Sequence, residues 1–373
     1  MLHLFIDQSL KMLNRRRFIS LSLLSGAYAA LPSRTLAYGD ALGAGQVPGA
    51  EEGYLMTVTG KMKPADAGIF LPHEHTFTDF IGAEKVVQPQ YDRKKAFDFL
   101  LPYLKKLKAS GVSTLAECTP AYIGRDAVLL KQLSRASGLR IITNTGYYAA
   151  VDFKYLPAHA HTESTGQLAA RWLKEWQYGI GDTGIRPGFI KLGVGNAPLK
   201  TLEKKLISAA AVTHLKSGLK IAIHTGNGAA AAEEVELLAA SGVSPGAMIW
   251  VHAQNDDKGE YHIALARKGC WISLDGFNGS EKAVAKYTGH LKAFKAAGLL
   301  SKALISQDEG FAVVENGSRF ELFNKENMSP YTSVLSKLKP ALRSEGFSDE
   351  ELHQVMVSNP ANALKIELKP LSK

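Results

Sequence analysis

Two cysteines, Cys118 and Cys270, are all that this 373-residue chain contains. A fold held by several disulfides is excluded, and each cysteine stands in an apolar, strand-like run, which is the setting of a buried thiol. Nothing after residue 37 is apolar for long enough to cross a bilayer. No basic stripe interleaved with aromatics appears either; lysines such as Lys105, Lys106 and Lys108 are scattered over helix faces, which speaks against a nucleic-acid partner. Nor is there a change of composition or a low-complexity tract after residue 53, so no second domain is indicated.

What is present begins with a leader. Arg15-Arg16-Arg17-Phe18 precedes an uncharged stretch, residues 18–31, and Thr35-Leu36-Ala37 places small residues where a signal peptidase cuts. The paired arginines before phenylalanine resemble a twin-arginine signal, a route that exports folded proteins. Residues 1–37 are therefore expected to be a signal peptide directing the chain to the periplasm, with no stable membrane anchor once it is removed. The Gly- and Ala-rich residues 38–53 are expected to be a linker, and residues 54–373 one domain. The leader holds Lys11, Arg15, Arg16, Arg17 and Arg34 against Asp7, so of the formal net charge of +9 the remainder keeps +5.

Eight short apolar runs recur, at residues 68–71, 113–118, 141–145, 189–192, 221–224, 248–252, 272–274 and 303–306. Runs of this kind, bounded by Gly or Asn, fit parallel strands buried on both faces. Amphipathic stretches lie between them, as at residues 94–109, where Phe97, Leu100, Leu101, Leu104 and Leu107 fall at helical spacing. The interval from one run to the next averages about 33 residues, the size of one βα unit. Eight such units predict an α/β fold, a (β/α)8 TIM barrel.

In such a barrel the active site lies at the carboxyl ends of the strands. Those ends carry His73, His75, Glu117, Thr145, Lys191, His224, His252, Asp275 and Asp308. His73 and His75 are two residues apart on one strand and share a face, with Glu74 turned away. Two imidazoles converging there make half of a metal site, and the other histidines and Asp308 offer the rest. Lys191 is the oddity, because its run Gly188-Phe189-Ile190-Lys191-Leu192-Gly193 is otherwise apolar. An ammonium beside two cations is repelled and poorly solvated, so the amine is expected to be neutral or converted by carbon dioxide to a carbamate. A carbamate is an anionic, two-oxygen ligand able to bridge two metals.

These residues carry a resemblance. The order His-x-His, strand-four Lys, strand-five His, strand-six His and strand-eight Asp resembles the binuclear amidohydrolase superfamily. Within it, residues 55–366 resemble the phosphotriesterase-like family, through Thr57-Val58-Thr59-Gly60, His73-Glu74-His75, Glu117-Cys118-Thr119-Pro120, Gly124-Arg125-Asp126, Asn144-Thr145-Gly146-Tyr147-Tyr148, Ile223-His224-Thr225, Asp256-Asp257, Leu304-Ile305-Ser306-Gln307-Asp308 and Asn359-Pro360-Ala361. The resemblance implies two divalent ions, one held by His73, His75 and Asp308, the other by His224 and His252. Lys191, N6-carboxylated, and a hydroxide would bridge them, and Asp308 would be the catalytic base. Zinc suits the nitrogen and oxygen donors; cobalt, manganese and iron fit as well.

The expected activity is hydrolysis of a small-molecule ester of phosphorus or carbon: an aryl ester, a phosphotriester or a lactone. The alternatives are cyclic amide or other amidohydrolase chemistry, and a non-catalytic periplasmic metal- or ligand-binding barrel. A homodimer is compatible with the sequence. Tyr147, Tyr148, Gly276 and Phe277 are expected around the substrate pocket, and Phe311, Phe320 and Phe323 in an apolar lid or rim. Arg125 and Asp126 are expected to pair with each other, and Asp256 and Asp257 to cap the helix after strand six. Members resembling the acyl-homoserine lactonase branch carry an arginine after the strand-seven aspartate; here Gly276 follows Asp275, leaving room and no cationic donor. Long-chain homoserine lactones are accordingly expected to be poor substrates.

Overall fold

The computed structural model describes residues 53–86, 89, 91–323 and 330–367, so the expected leader and nearly all of the expected linker lie outside the described residues. The apolar runs form the strands β1 Ile69–Glu74, β2 Val112–Glu117, β3 Arg140–Ile142 continued as Asn144–Thr145, β4 Phe189–Gly193, β5 Lys220–His224, β6 Met248–Val251, β7 Trp271–Leu274 and β8 Ala303–Ile305. All pair in parallel: β1, β2 and the first part of β3 form one ladder, and the second part of β3 continues to β8 in strand order. Side chains of β4, β6, β7 and β8 are buried on both faces, which is why these strands read as unbroken apolar runs.

Helices alternate with the strands: α1 Arg93–Ala109, α2 Ala127–Ser137, α3 Thr165–Tyr178, α4 Thr201–Ser217, α5 Gly228–Ala240, α6 Glu260–Lys268 and α7 Glu281–Ala296. Their starts follow capping chemistry. The Asp92 side chain accepts from Lys95 N–H, and Ser164 with Gln167 makes a reciprocal capping box. On α1 the buried stripe is Ala96, Leu100, Leu104 and Leu107, one helical face turned to the strands. Inside the barrel, Phe70, Ala116, Ile142, Phe189, Ala222, Ile249 and Leu304 pack together below the site. Among the described residues no helix is long and apolar enough to cross a membrane.

The described residues form no strand ladder between β8 and β1, and backbone and side-chain bonds close that seam. Asp308 N–H donates to His73 O (3.2 Å) and His75 N–H to Glu309 O (2.7 Å). The region expected as a loop after β8 contains a hairpin, Phe311–Val314 with Arg319–Leu322, that also pairs with Phe77–Thr78. Phe311 and Phe320 are packed in it against Phe77 and Phe99, so they belong to a structural rim and not to a lid. Both cysteines are buried and free, as their apolar runs implied.

Candidate metal centre

Strand ends deliver the side chains. His73 and His75 leave β1 on one face, and Asp308 approaches from beyond β8 with Oδ1 at 3.2 Å from His73 Nε2 and 3.1 Å from His75 Nε2. Among the described residues this is the one group of three whose donor atoms lie close enough, within 4.8 Å of one another, to hold a metal ion. His224 and His252 stand beside it with ring centroids 4.4 Å apart, and His73 and His252 rings are 5.1 Å apart. Lys191 is buried on β4, between the elements carrying these histidines.

The donor set fits a cation. Both ring nitrogens of His73 are buried and make no well-aligned hydrogen bond, their nearest partners being carboxylate oxygens, Asp275 Oδ2 at 3.3 Å from Nδ1 and Asp308 Oδ1 at 3.2 Å from Nε2, an arrangement that leaves room for a cation to be coordinated. His75 Nδ1 lies 2.8 Å from Thr119 Oγ1, whose hydroxyl donates to Glu117 Oε1 at 2.5 Å. That bond orders the proton onto Nδ1 and leaves Nε2 with a free lone pair. Asp275 does the same for His252, with Oδ1 at 2.7 Å from Nδ1.

Charge supports the same assignment at His75, His224 and Asp308, whereas at His73 burial lowers the ring but Cys118, Asp275 and Asp308 outweigh it and hold it well above the usual imidazole range, a proton that a cation would have to displace. Burial pushes the His75 imidazolium down to about 4, Asp308 only partly opposing it, so the ring is neutral and able to ligate. His224 is lowered for the same reason, with His252 adding to it. Burial would raise the Asp308 carboxyl, but the neighbouring His252 and His73 outweigh it and hold the group well below the usual carboxylate range. Burial lowers the Lys191 ammonium from 10.5, only partly offset by Cys118, Asp275 and Asp308. Loss of the ammonium charge is the precondition for carbamate formation.

The surroundings of the site differ from expectation at several points. Tyr148 does line it, its ring 4.9 Å from His224; a Cβ on Gly193 would meet that ring at 2.2 Å, so only glycine at the end of β4 admits it. Tyr147 instead turns outward, against Trp172 and with its hydroxyl 3.0 Å from His159 Nε2. Phe277 is fully buried against Tyr287 and is a core residue. The room expected beside Gly276 is filled by Gln254, whose Nε2 lies 2.6 Å from where a Cβ would stand. Arg125 does not pair with Asp126. It reaches Glu175 on α3 (2.6 Å), while Asp126 accepts from Leu129 N–H at the start of α2 and pairs with Arg93. Asp256 accepts from Tyr261 N–H at the start of α6 as expected, but Asp257 pairs with Lys286.

Sequence reasoning named Tyr148 and Phe323 but missed Phe80 and Tyr155, which join them into an aromatic wall. Rings run in contact from His75 to Phe323 (5.7 Å), Phe80 (5.7 Å), Tyr155 (6.1 Å), Tyr148 (5.9 Å) and His224, thus beginning and ending on histidines of the candidate centre. Phe80 is 45% exposed, unusual for its size. Ala83 N–H donates to Lys154 O at 2.9 Å and ties the loops bearing Phe80 and Tyr155 together.

A parallel eight-stranded α/β barrel with such a donor set at its carboxyl ends is the architecture of a metal-dependent hydrolase. The family profile described as "Phosphotriesterase family" matches residues 53–364; the chain belongs to the phosphotriesterase family. It is similar to the phosphotriesterase homology protein of Escherichia coli (strain K12), 27% identical over 300 residues covering 79% of this chain and 97% of that protein. It is also similar to the aryldialkylphosphatase of Saccharolobus solfataricus, 25% identical over 302 residues covering 79% and 94%. A third relative, the N-acetyltaurine hydrolase of Dictyostelium discoideum, is 26% identical over 279 residues covering 70% and 72%.

Proposed function

We propose that this family hydrolase uses two divalent ions to cleave an ester of carbon or phosphorus bearing an apolar aryl or acyl group. The observation that carries the reading is the convergence of His73, His75 and Asp308 on one point at the foot of the aromatic wall. His73, His75 and Asp308 would hold one ion, and His224 with His252 the second. That second pair has no third His, Cys, Asp or Glu donor close enough among the described residues, and a carbamate on Lys191 would supply the missing anionic ligand to both ions. When bound, two such ions, zinc by preference with cobalt, manganese or iron as substitutes, lower the pKa of a water and polarise the electrophile.

The remaining work falls to the chain's own groups. Asp308, deprotonated and with its side chain 32% exposed to the mouth, is placed to take the proton of the attacking water on a carboxylate oxygen. The Thr119 and Glu117 hydrogen bonds hold His75 in its ligating tautomer, and Asp275 holds His252. The aromatic wall binds and desolvates the apolar substituent. We further infer that residues 1–37 deliver the enzyme to the periplasm by the twin-arginine route.

The test is a side-by-side assay of aryl esters, phosphotriesters, lactones and N-acyl amides on the metal-loaded enzyme, with and without chelator. Ester turnover that a chelator abolishes supports the proposal, and Asp308→Asn should lower kcat at least ~10²-fold, as for loss of a general base. A second reading, amide hydrolysis, is favoured by the relative named N-acetyltaurine hydrolase; preference for the N-acyl amides would replace the ester reading. No turnover of any substrate would favour a binding barrel.

A further inference from the structure

Between the two metal-facing histidines stands Glu74, turned the other way on β1 and fully buried. It faces the β8–β1 seam. Its Oε1 accepts from Ser306 Oγ (2.7 Å) and Gln307 N–H (3.1 Å), with Gln307 Nε2 at 3.4 Å, and its Oε2 accepts from Glu309 N–H (2.9 Å). The two backbone donors are the residues on either side of Asp308. Ser306 Oγ also accepts from His73 N–H at 3.1 Å, which joins the network to the first histidine. Asp308 itself lies in the left-handed region, φ 53°, a conformation that residues other than glycine adopt only when their surroundings over-determine it.

We propose that Glu74 is a positioning residue for the metal centre: its carboxylate clamps both flanks of Asp308 and holds it in the left-handed turn that aims its own carboxylate between His73 and His75. The inference rests on the metal reading above. Four donors converge on Glu74, so the position requires an oxygen that can accept on each side, which a carboxyl group provides and an amide does not. A glutamine would set an NH2 against one flanking amide and release that side of the turn. The His-x-His spacing thereby serves two ends. Its outer residues face the ion, and its middle residue positions the third ligand from across the β8–β1 seam.

The experiment measures zinc affinity and stoichiometry by competition with a chromophoric chelator, on wild type, Glu74→Gln, Asp308→Ala and the double variant. Wild type should bind two ions. Glu74→Gln should weaken one of them 10- to 100-fold, the range for losing a partner that orients a ligand, and keep the other, held by His224 and His252. In the Asp308→Ala background Glu74→Gln should weaken zinc no further, because both substitutions act through one arm. Unchanged affinity for both ions in Glu74→Gln, or the same extra loss with and without Asp308, overturns the inference while leaving the metal reading intact. A wild type that binds no zinc overturns both. Should Glu74→Gln fail to fold, Glu74→Asp, charged but too short to reach both flanks, is read by the same criteria.

Discussion

Asp275→Asn is the substitution whose consequences can be worked furthest. Asp275 is fully buried just beyond β7. Its Oδ1 lies 2.7 Å from His252 Nδ1, and both oxygens lie within 3.2 Å of His252 N. Its Oδ2 stands 3.3 Å from His73 Nδ1. One carboxylate therefore addresses two imidazoles that would serve different ions. Asparagine has the same shape but one acceptor oxygen fewer. With its oxygen kept towards His252, its NH2 faces His73 Nδ1 and favours the proton on Nε2, the nitrogen aimed at Asp308. That tautomer cannot ligate. Replacing a charge-assisted hydrogen bond by a neutral one costs about 1 kcal/mol, and the wrong tautomer adds to it. A 10- to 100-fold loss of zinc affinity, about 1.4–2.7 kcal/mol, is expected at the ion held by His73. A smaller loss is expected at the ion held by His252. Chelator competition gives both constants, and excess zinc should restore most of kcat. If both ions stay bound at wild-type affinity, the reasoning from tautomers is refuted.

If Lys191 carries the proposed carbamate, Lys191→Ala should lose metal and activity, with partial recovery in short carboxylic acids that would stand in for it; full activity without them would remove Lys191 from the centre. Phe80→Ala and Phe323→Ala should each raise KM for aryl esters roughly 10-fold at nearly constant kcat, the size expected for losing part of an aromatic surface, while small acetate esters are barely affected. Burial raises the Glu117 carboxyl to about 7, despite hydrogen bonds from Thr119 and Thr76. A raised carboxyl favours folding below its unfolded pKa and loses that contribution as pH rises from about 4.5 through about 7. Denaturant titration of metal-free protein across that range should therefore show wild type falling relative to Glu117→Gln, by at most about 1.4 kcal/mol per pH unit; a constant difference would contradict the burial argument. Arg15→Lys combined with Arg16→Lys should leave precursor in the cytoplasm, and unchanged delivery would point to another export pathway.

The barrel was legible because its strands are buried on both sides, so each reads as a short apolar run whose last polar residue faces the site. That logic assigned His73, His75, Lys191, His224, His252 and Asp308 to one end of the barrel without knowledge of packing. It failed wherever a side chain's role depends on a distant neighbour. Glu74 has the wrong parity for the site, and only the approach of residues 306–309 gives it a purpose. Arg125 finds Glu175 on α3, fifty residues away, in preference to the adjacent Asp126. Gly276 suggested empty space, which Gln254 occupies. Phe277 and Phe80 are both phenylalanines in loops at the same end of the barrel. One is fully buried and the other 45% exposed, a difference set by tertiary packing and not by local pattern.

The seam between β8 and β1 has a consequence for how the enzyme is made. His73 and its partner Ser306 are 233 positions apart in the chain, and Asp308 meets the two β1 histidines only when the last strand docks on the first. Contacts of such separation form late, after the loop between them has been closed by everything in between. A nascent or half-assembled barrel therefore presents two histidines and no third ligand, a poor trap for a cation. Tight metal uptake at this site would then report that the circle is complete, so that loading and correct folding would be read out by the same event.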